Sequence, residues 1–199
     1  MIHEVAQVLV DLIFDWGYFG IFIMMAIESS FIPFPSEIVL IPAGYLASQG
    51  EMNLGMIILS ALGGSMIGAF VNYYLAFTLG RNILEKYGKY FFIKESTLIK
   101  MDTYFEKHGA ISTFTGRLVP GVRQLISIPA GLCKMNIAKF SAYTALGAGI
   151  WALVLTLLGY FIGENQELIN TYLKQITIIV LLFLVIISAI YYKKYSKRS

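Results

Sequence analysis

The chain has 199 residues, 57% of them hydrophobic and only 14% charged, with a mean hydropathy of +0.70. Soluble domains carry about 25% charged residues, so this composition excludes a soluble domain and points to one membrane domain over 1–199. The net charge of +3 forms no groove-sized basic patch with interleaved aromatics, which excludes nucleic acid as a partner, and a single cysteine, Cys133, excludes an intrachain disulfide.

Residues 1–15 read as an amphipathic helix, with Glu4, Gln7, Asp11 and Asp15 opposite Val5, Leu9, Leu12 and Trp16. This spacing suits a helix lying in the membrane interface. No Lys or Arg precedes its apolar run, so it is not a typical secretory signal. The apolar stretch 17–48 is broken by Glu28, Pro33, Pro35, Glu37 and Pro42. Residues 54–80 exceed the roughly 20 apolar residues that a crossing needs. Ser60, Gly64 and Gly68 recur there at four-residue spacing. Such a face lets helices pack closely, within one chain in preference to a homo-oligomer. A second amphipathic piece covers about 83–107. The next apolar stretch, 109–132, is broken by Arg117, Pro120, Arg123 and Pro129. Residues 138–163 and 175–192 read as two further crossings, the last followed by Lys193, Lys194, Lys197 and Arg198.

Positive charge orients these elements. Lys and Arg are absent before Arg81 and then cluster over 81–107 and in the tail. Cytoplasmic loops retain such residues, so the C-terminus, 82–107, Lys134 and Lys139 are expected inside, with 49–53 and 164–170 outside. The two proline-broken stretches do not fit as simple crossings. Proline removes an N–H and disrupts a helix interior, and broken backbone at membrane depth survives only inside protein or along a watery cavity. Each stretch is therefore expected to be a re-entrant hairpin of two short helices joined by a proline turn. Pro33 and Pro120 would mark the turns; Pro35, Pro42, Gly44, Gly116, Pro129 and Gly131 would shape the arms.

An internal repeat supports this. Ile41, Pro42, Ala43 and Gly44 recur as Ile128, Pro129, Ala130 and Gly131, an offset of 87 residues, at which Pro33 also meets Pro120 and Tyr73 meets Tyr160. The expected fold is all-α and integral to the membrane. It is an inverted repeat of amphipathic helix, re-entrant hairpin and transmembrane helix (about 1–80 and 83–163), plus a C-terminal transmembrane helix at about 175–192.

The chemistry sits in the hairpins: Glu28 and Glu37 in one, Arg117 and Arg123 in the other. Each charge costs about 2.5–3.5 kcal/mol at the centre of an apolar segment, so four of them require partners or water. If the hairpin tips meet, the opposite charges either neutralise one another or line a polar passage. Intramembrane ionisable residues mark functional sites by default. Two guanidinium forks suit a phosphate, and two glutamates can hold or release protons. The pairing first expected is Arg117 with Glu28 and Arg123 with Glu37, with the crossed pairs also open.

Gly116, Arg117, Pro120 and Arg123, followed by Pro129, Ala130, Gly131 and Met135, strongly resemble the signature of the DedA family, also called the VTT or SNARE-associated domain family. Glu28 with Pro33, Pro35, Ser36 and Glu37, then Ala43 and Gly44, resembles its other signature. Tyr73 with Gly80 and Arg81 is similar to the family's tyrosine–glycine–arginine element at a longer spacing, and Asn72 stands near a position where members often carry an acid. The resemblance covers roughly residues 15–165. It implies a multi-pass protein of the bacterial cytoplasmic (inner) membrane. Such a protein moves lipids such as undecaprenyl phosphate or a phospholipid between leaflets, with dependence on the proton motive force.

The leading expectation is therefore a lipid flippase or scramblase without cofactor or metal, binding a phosphate headgroup through Arg117 and Arg123. The alternatives are proton-coupled export of a small cation or drug through Glu28 and Glu37, and a non-transporting membrane assembly factor. A lipid phosphatase would need a nucleophile, a general base or a metal; His3 and His108 lie far apart and offer no such constellation.

Overall fold

A computed structural model of the chain describes residues 16–30, 35–80, 95–119 and 122–162, with isolated positions between 165 and 186, and gives backbone alone at 95–102. The expected interfacial helix at 1–15, both turn prolines (Pro33 and Pro120), Arg81 and the segment 82–94, most of the crossing at 175–192 and the basic tail lie outside the described residues.

The described residues are helical. They form α1 (Trp16–Glu28), α2 (Glu37–Ser48), α3 (Leu54–Leu75, continued by a π-helical turn over Ala76–Gly80), α4 (Glu95–Leu118), α5 (Ser127–Leu132) and α6 (Ile137–Ile162). With its π turn α3 has 27 residues, and α6 has 26. At 1.5 Å per residue each reaches about 40 Å, longer than the ~30 Å hydrocarbon core. Both long helices start on an asparagine. The Asn53 side chain accepts the Met56 N–H at 3.2 Å, and the Asn136 side chain accepts those of Ala138 and Lys139 at 3.0 and 3.2 Å. Each cap satisfies donors that the first helical turn leaves open.

Each proline-broken stretch is a helix, a break and a second helix. The second helices, α2 and α5, end in the same way. Glu51 N–H reaches the Leu46 carbonyl at 3.0 Å and Gly50 N–H that of Ala47 at 3.2 Å; Met135 and Lys134 repeat the pattern on Ala130 and Gly131, both at 3.0 Å. This helix ending places one residue in the left-handed region. Gly50 adopts it freely at φ +81, whereas Lys134 adopts it at φ 50 against a cost of about 1 kcal/mol.

One boundary differs from expectation. The described part of the amphipathic piece, from Glu95, and the first arm of the second hairpin are one continuous helix, α4. Gly109 does not interrupt it because that position faces packed neighbours: a Cβ there would stand 3.1 Å from the Phe105 ring and 3.3 Å from the Met135 sulfur. The arms of the second hairpin are consequently unequal, 24 residues against 6, whereas α2 has 12.

Small residues set how the helices meet. A Cβ on Gly44 of α2 would collide with the Thr156 carbonyl of α6, and one on Gly131 of α5 with the Tyr73 carbonyl of α3. Gly64 and Gly68 press in the same way on the Phe22 and Ala26 carbonyls of α1, so part of the small-residue face of α3 is used within the chain. One apolar cluster joins α1, α2, α3 and α6 through Ile21, Met24, Leu40, Ile57, Trp151 and Leu155. A second joins Ala69, Tyr73, Ala130, Met135 and Phe140, where the Tyr73 hydroxyl donates to the Met135 carbonyl. Ser48 and Gln49 share a cleft with Tyr160, Ile162 and Asn165, while Lys134 lies 5.9 Å from the Phe77 ring centre. The start of α3 and the end of α6 therefore share one face, and the two long helices run antiparallel.

Candidate functional site

Between the two apolar clusters lies a buried polar site. It is assembled from the end of α1, the start of α2, the middle of α3, the end of α4, the turn 122–126, the start of α5 and the middle of α6. Glu28, Arg117 and Arg123 are only 2%, 3% and 8% exposed. Arg123 donates from Nη2 to the Glu28 carboxylate at 2.7 Å and to the Ser36 hydroxyl at 2.8 Å. Gln124 Nε2 donates to the same Glu28 oxygen at 3.0 Å, and the Ser29 hydroxyl to the other at 2.9 Å. Both Glu28 oxygens are thus engaged, by three partners. A buried carboxylate needs this: desolvation is repaid only with good geometry and further hydrogen bonds.

Arg117 is treated differently. It occupies the last turn of α4, where the negative end of the helix dipole favours a cation. Its Nη2 donates to the Ser127 hydroxyl at 2.8 Å. A Cβ at Gly147 would stand 2.5 Å from its own Cβ, so α6 can pass only because that residue is glycine. Among the described residues no carboxylate lies within ion-pair distance of Arg117, and its Nε–H has no acceptor. A guanidinium carries five N–H donors; among the described residues one on Nη2 is used and that on Nε has no acceptor.

Asn72 ties the two hairpins to α3. Its amide nitrogen lies 3.2, 2.8 and 3.3 Å from the carbonyls of Ser29, Ser30 and Gln124. The Arg123 guanidinium carbon sits 5.5 Å from the Trp151 ring centre. A cavity of about 20 Å³ remains, lined by Met25, Glu28, Ser29, Ser65, Arg117, Arg123, Ala148, Trp151 and Ala152. That volume holds about one water.

The structure thus brings together three of the four expected charges and corrects their pairing. Glu28 joins Arg123, not Arg117. Glu37 opens α2, half-buried, and forms no ion pair with either arginine. The reason is helix phase: Ser36 faces Arg123, and the next residue is turned about 100° away at 3.6 residues per turn. Glu37 instead sits where the positive end of the α2 dipole favours an acid. Gly116 lets the second hairpin fold back, since a Cβ there would lie 2.8 Å from the Ile126 side chain. Pro129 is the third residue of α5, within the first turn that tolerates proline, and Pro35 precedes α2. Pro42 sits inside α2 without ending it. Sequence reasoning missed the engagement of Gln124, Ser127 and Trp151. Their only signal was polar character within apolar segments. His108 lies on α4 with its ring 5.0 Å from that of Tyr104, and no group of three or more metal-ligating side chains occurs among the described residues.

Comparison with known proteins adds the following. Residues 34–161 match the family model of the VTT domain. The chain is 40% identical over 182 residues to the uncharacterized membrane protein YkoX of Bacillus subtilis, covering 87% of this chain and 80% of the relative. It is 35% identical over 179 residues to undecaprenyl phosphate transporter A of the same organism, covering 89% and 88%. It is 32% identical over 153 residues to protein DedA of Escherichia coli, covering 74% and 69%. No solved structure matches the chain.

Proposed function

This chain belongs to the VTT-domain family, also known as the DedA family, and from that membership we propose that it moves a phosphate-bearing lipid between the leaflets of the bacterial inner membrane. The observation that carries this reading is Arg117: a buried cation with spare donors and no carboxylate partner among the described residues, beside a small polar cavity. A merely structural charge pair would leave neither arginine unmatched. An anion that arrives and leaves is the complement that such a site lacks. A relative at 35% identity is named as an undecaprenyl phosphate transporter, which makes undecaprenyl phosphate the first lipid to try and a phospholipid the second.

The cavity is too small for a phosphate group, so the headgroup enters only when the two hairpins part. Parting them breaks the Arg123 contacts to Glu28 and Ser36, which join hairpin to hairpin. A lipid phosphate then competes with the Glu28 carboxylate for Arg123.

The hairpins are read as re-entrant, one from each side, within an inverted repeat whose C-terminus is cytoplasmic. Three features favour this. Gly44 seats on α6 and its repeat mate Gly131 on α3, so each second arm packs on the long helix of the other half. The Arg123–Ser36 contact joins residues 87 apart, the repeat offset itself, as expected of a pair lying on a two-fold axis. The long helices run antiparallel. Export of a cation through Glu28 and Glu37 draws no support from the geometry, because Glu28 is already paired with Arg123 and Glu37 forms no ion pair among the described residues.

The test is reconstitution of the purified chain into liposomes, with a leaflet-accessibility assay on labelled prenyl phosphate and phospholipids. Movement of a phosphate-bearing lipid that is lost in Arg117→Lys supports the reading. Absence of movement for every lipid tried would leave an assembly role as the better account.

A further inference from the structure

Two residues that line the same cavity each carry a buried donor without an acceptor among the described residues. One is Arg117 Nε–H; the other is the indole Nε1–H of Trp151, a residue only 4% exposed. Buried indole N–H groups usually find a partner, since leaving one unmet is costly. Among the described residues none supplies it. The same indole ring carries the Arg123 guanidinium at 5.5 Å, a distance at which a cation is held by the ring face. Trp151 therefore bears on the site in two ways: an unmet N–H on a residue that lines the cavity, and a ring face that holds the second arginine. Phenylalanine would serve the second role and not the first.

We propose that Trp151 is the third anion-contacting side chain of the site, its indole N–H donating to a phosphate oxygen held by Arg117 while its ring holds Arg123. This rests on the phosphate-binding reading above and adds a residue from α6 to a site otherwise drawn from the hairpins. The ligand chemistry is a phosphate oxyanion, which a lipid headgroup or free phosphate could supply.

The chain has two tryptophans, so Trp16→Phe makes Trp151 the sole indole in the full-length protein. Trp16 is 54% exposed, outside the site. In detergent micelles, ¹⁵N-indole labelling of this variant gives one resonance for the donor itself, with no substitution at 151. A short-chain prenyl phosphate should shift that resonance downfield and saturably, and the matching prenyl alcohol should leave it in place. Trp151→Phe keeps the ring beneath Arg123. It should retain the melting temperature but weaken prenyl phosphate binding about tenfold or more, the worth of one hydrogen bond to a charged group. Arg117→Lys provides the comparison. If the indole resonance does not move and Trp151→Phe binds as tightly as the parent while Arg117→Lys binds weakly, the Trp151 proposal is overturned and the phosphate reading stands. If prenyl phosphate fails to bind the parent protein, the phosphate reading itself falls. Inorganic phosphate forms the last arm. Binding as tight as that of the prenyl phosphate keeps Trp151 as a phosphate donor and assigns the ligand to the free anion; much weaker binding assigns it to a lipid headgroup.

Discussion

Replacing each arginine of the site with methionine perturbs it in opposite ways. Arg123→Met removes the partner that joins the Glu28 carboxylate at 2.7 Å and the Ser36 hydroxyl at 2.8 Å. Glu28 keeps Gln124 and Ser29 but loses its counter-charge while 2% exposed. Stranding one member of a buried ion pair costs about 3–5 kcal/mol. For a chain of this size that lowers the melting temperature by about 6–20 °C, taking roughly 2–4 °C per kcal/mol. Arg117→Met removes one hydrogen bond from a charged donor, to Ser127 at 2.8 Å, worth about 1.5–3 kcal/mol. It also removes a buried cation that has no described carboxylate in ion-pair contact, and the apolar chain fills much of the same space. The two effects offset, so Arg117→Met should melt within a few degrees of the parent, or above it, while lipid transport is lost. Arg123→Met with Glu28→Gln should recover most of the stability lost in Arg123→Met. The assay is thermal unfolding in detergent beside lipid movement in liposomes. An Arg117→Met protein as unstable as Arg123→Met would refute the reasoning, because Arg117 would then hold up a partner of its own. Transport that survives in Arg117→Met would remove it from the substrate path.

Three further outcomes are expected. In a Cys133→Ser background, single cysteines at Gln49 and Lys139, both exposed, should react with impermeant reagents from opposite sides of the membrane; reaction from one side only would undo the inverted topology. Gly44→Ala and Gly131→Ala each drive a methyl group into a backbone carbonyl of a long helix, and each should cost about 1–3 kcal/mol in unfolding measurements, whereas near-parent stability would show that these contacts can relax. Asn72→Asp exchanges an amide donor shared by three carbonyls for an acceptor facing them. It should destabilise by about 3 kcal/mol or more as a buried unmet group and loosen both hairpins to protease, and a protein as protected as the parent would mean that Asn72 does not clamp them.

Much of this protein follows from its sequence because hydropathy and proline act locally. Long unbroken apolar runs can only be long helices, and the expected limits 54–80 and 138–163 agree with Leu54–Gly80 and Ile137–Ile162 to within a residue. Prolines set among apolar residues forced a break in each remaining stretch, and charges at such breaks had to be buried together, since the membrane offers them no solvent. Glu28, Arg117 and Arg123 were marked on that ground alone. What the sequence could not decide was direction. Whether Glu28 meets Arg123 or Arg117 depends on helix phase and on how α1 crosses the turn 122–126, across some 95 residues of chain. The same phase sets Ser36 into the site and Glu37 out of it, although the two are adjacent. Gly109 looked like a boundary and is a packing position, because Phe105 and Met135 close over it. Trp151 and Gln124 carry no motif of their own; each became part of the site only when tertiary packing set it against Arg123 or Glu28. Local chemistry fixed which groups had to be buried, and the three-dimensional crossing of helices fixed which of them found partners and which, like Arg117, were left with donors to offer.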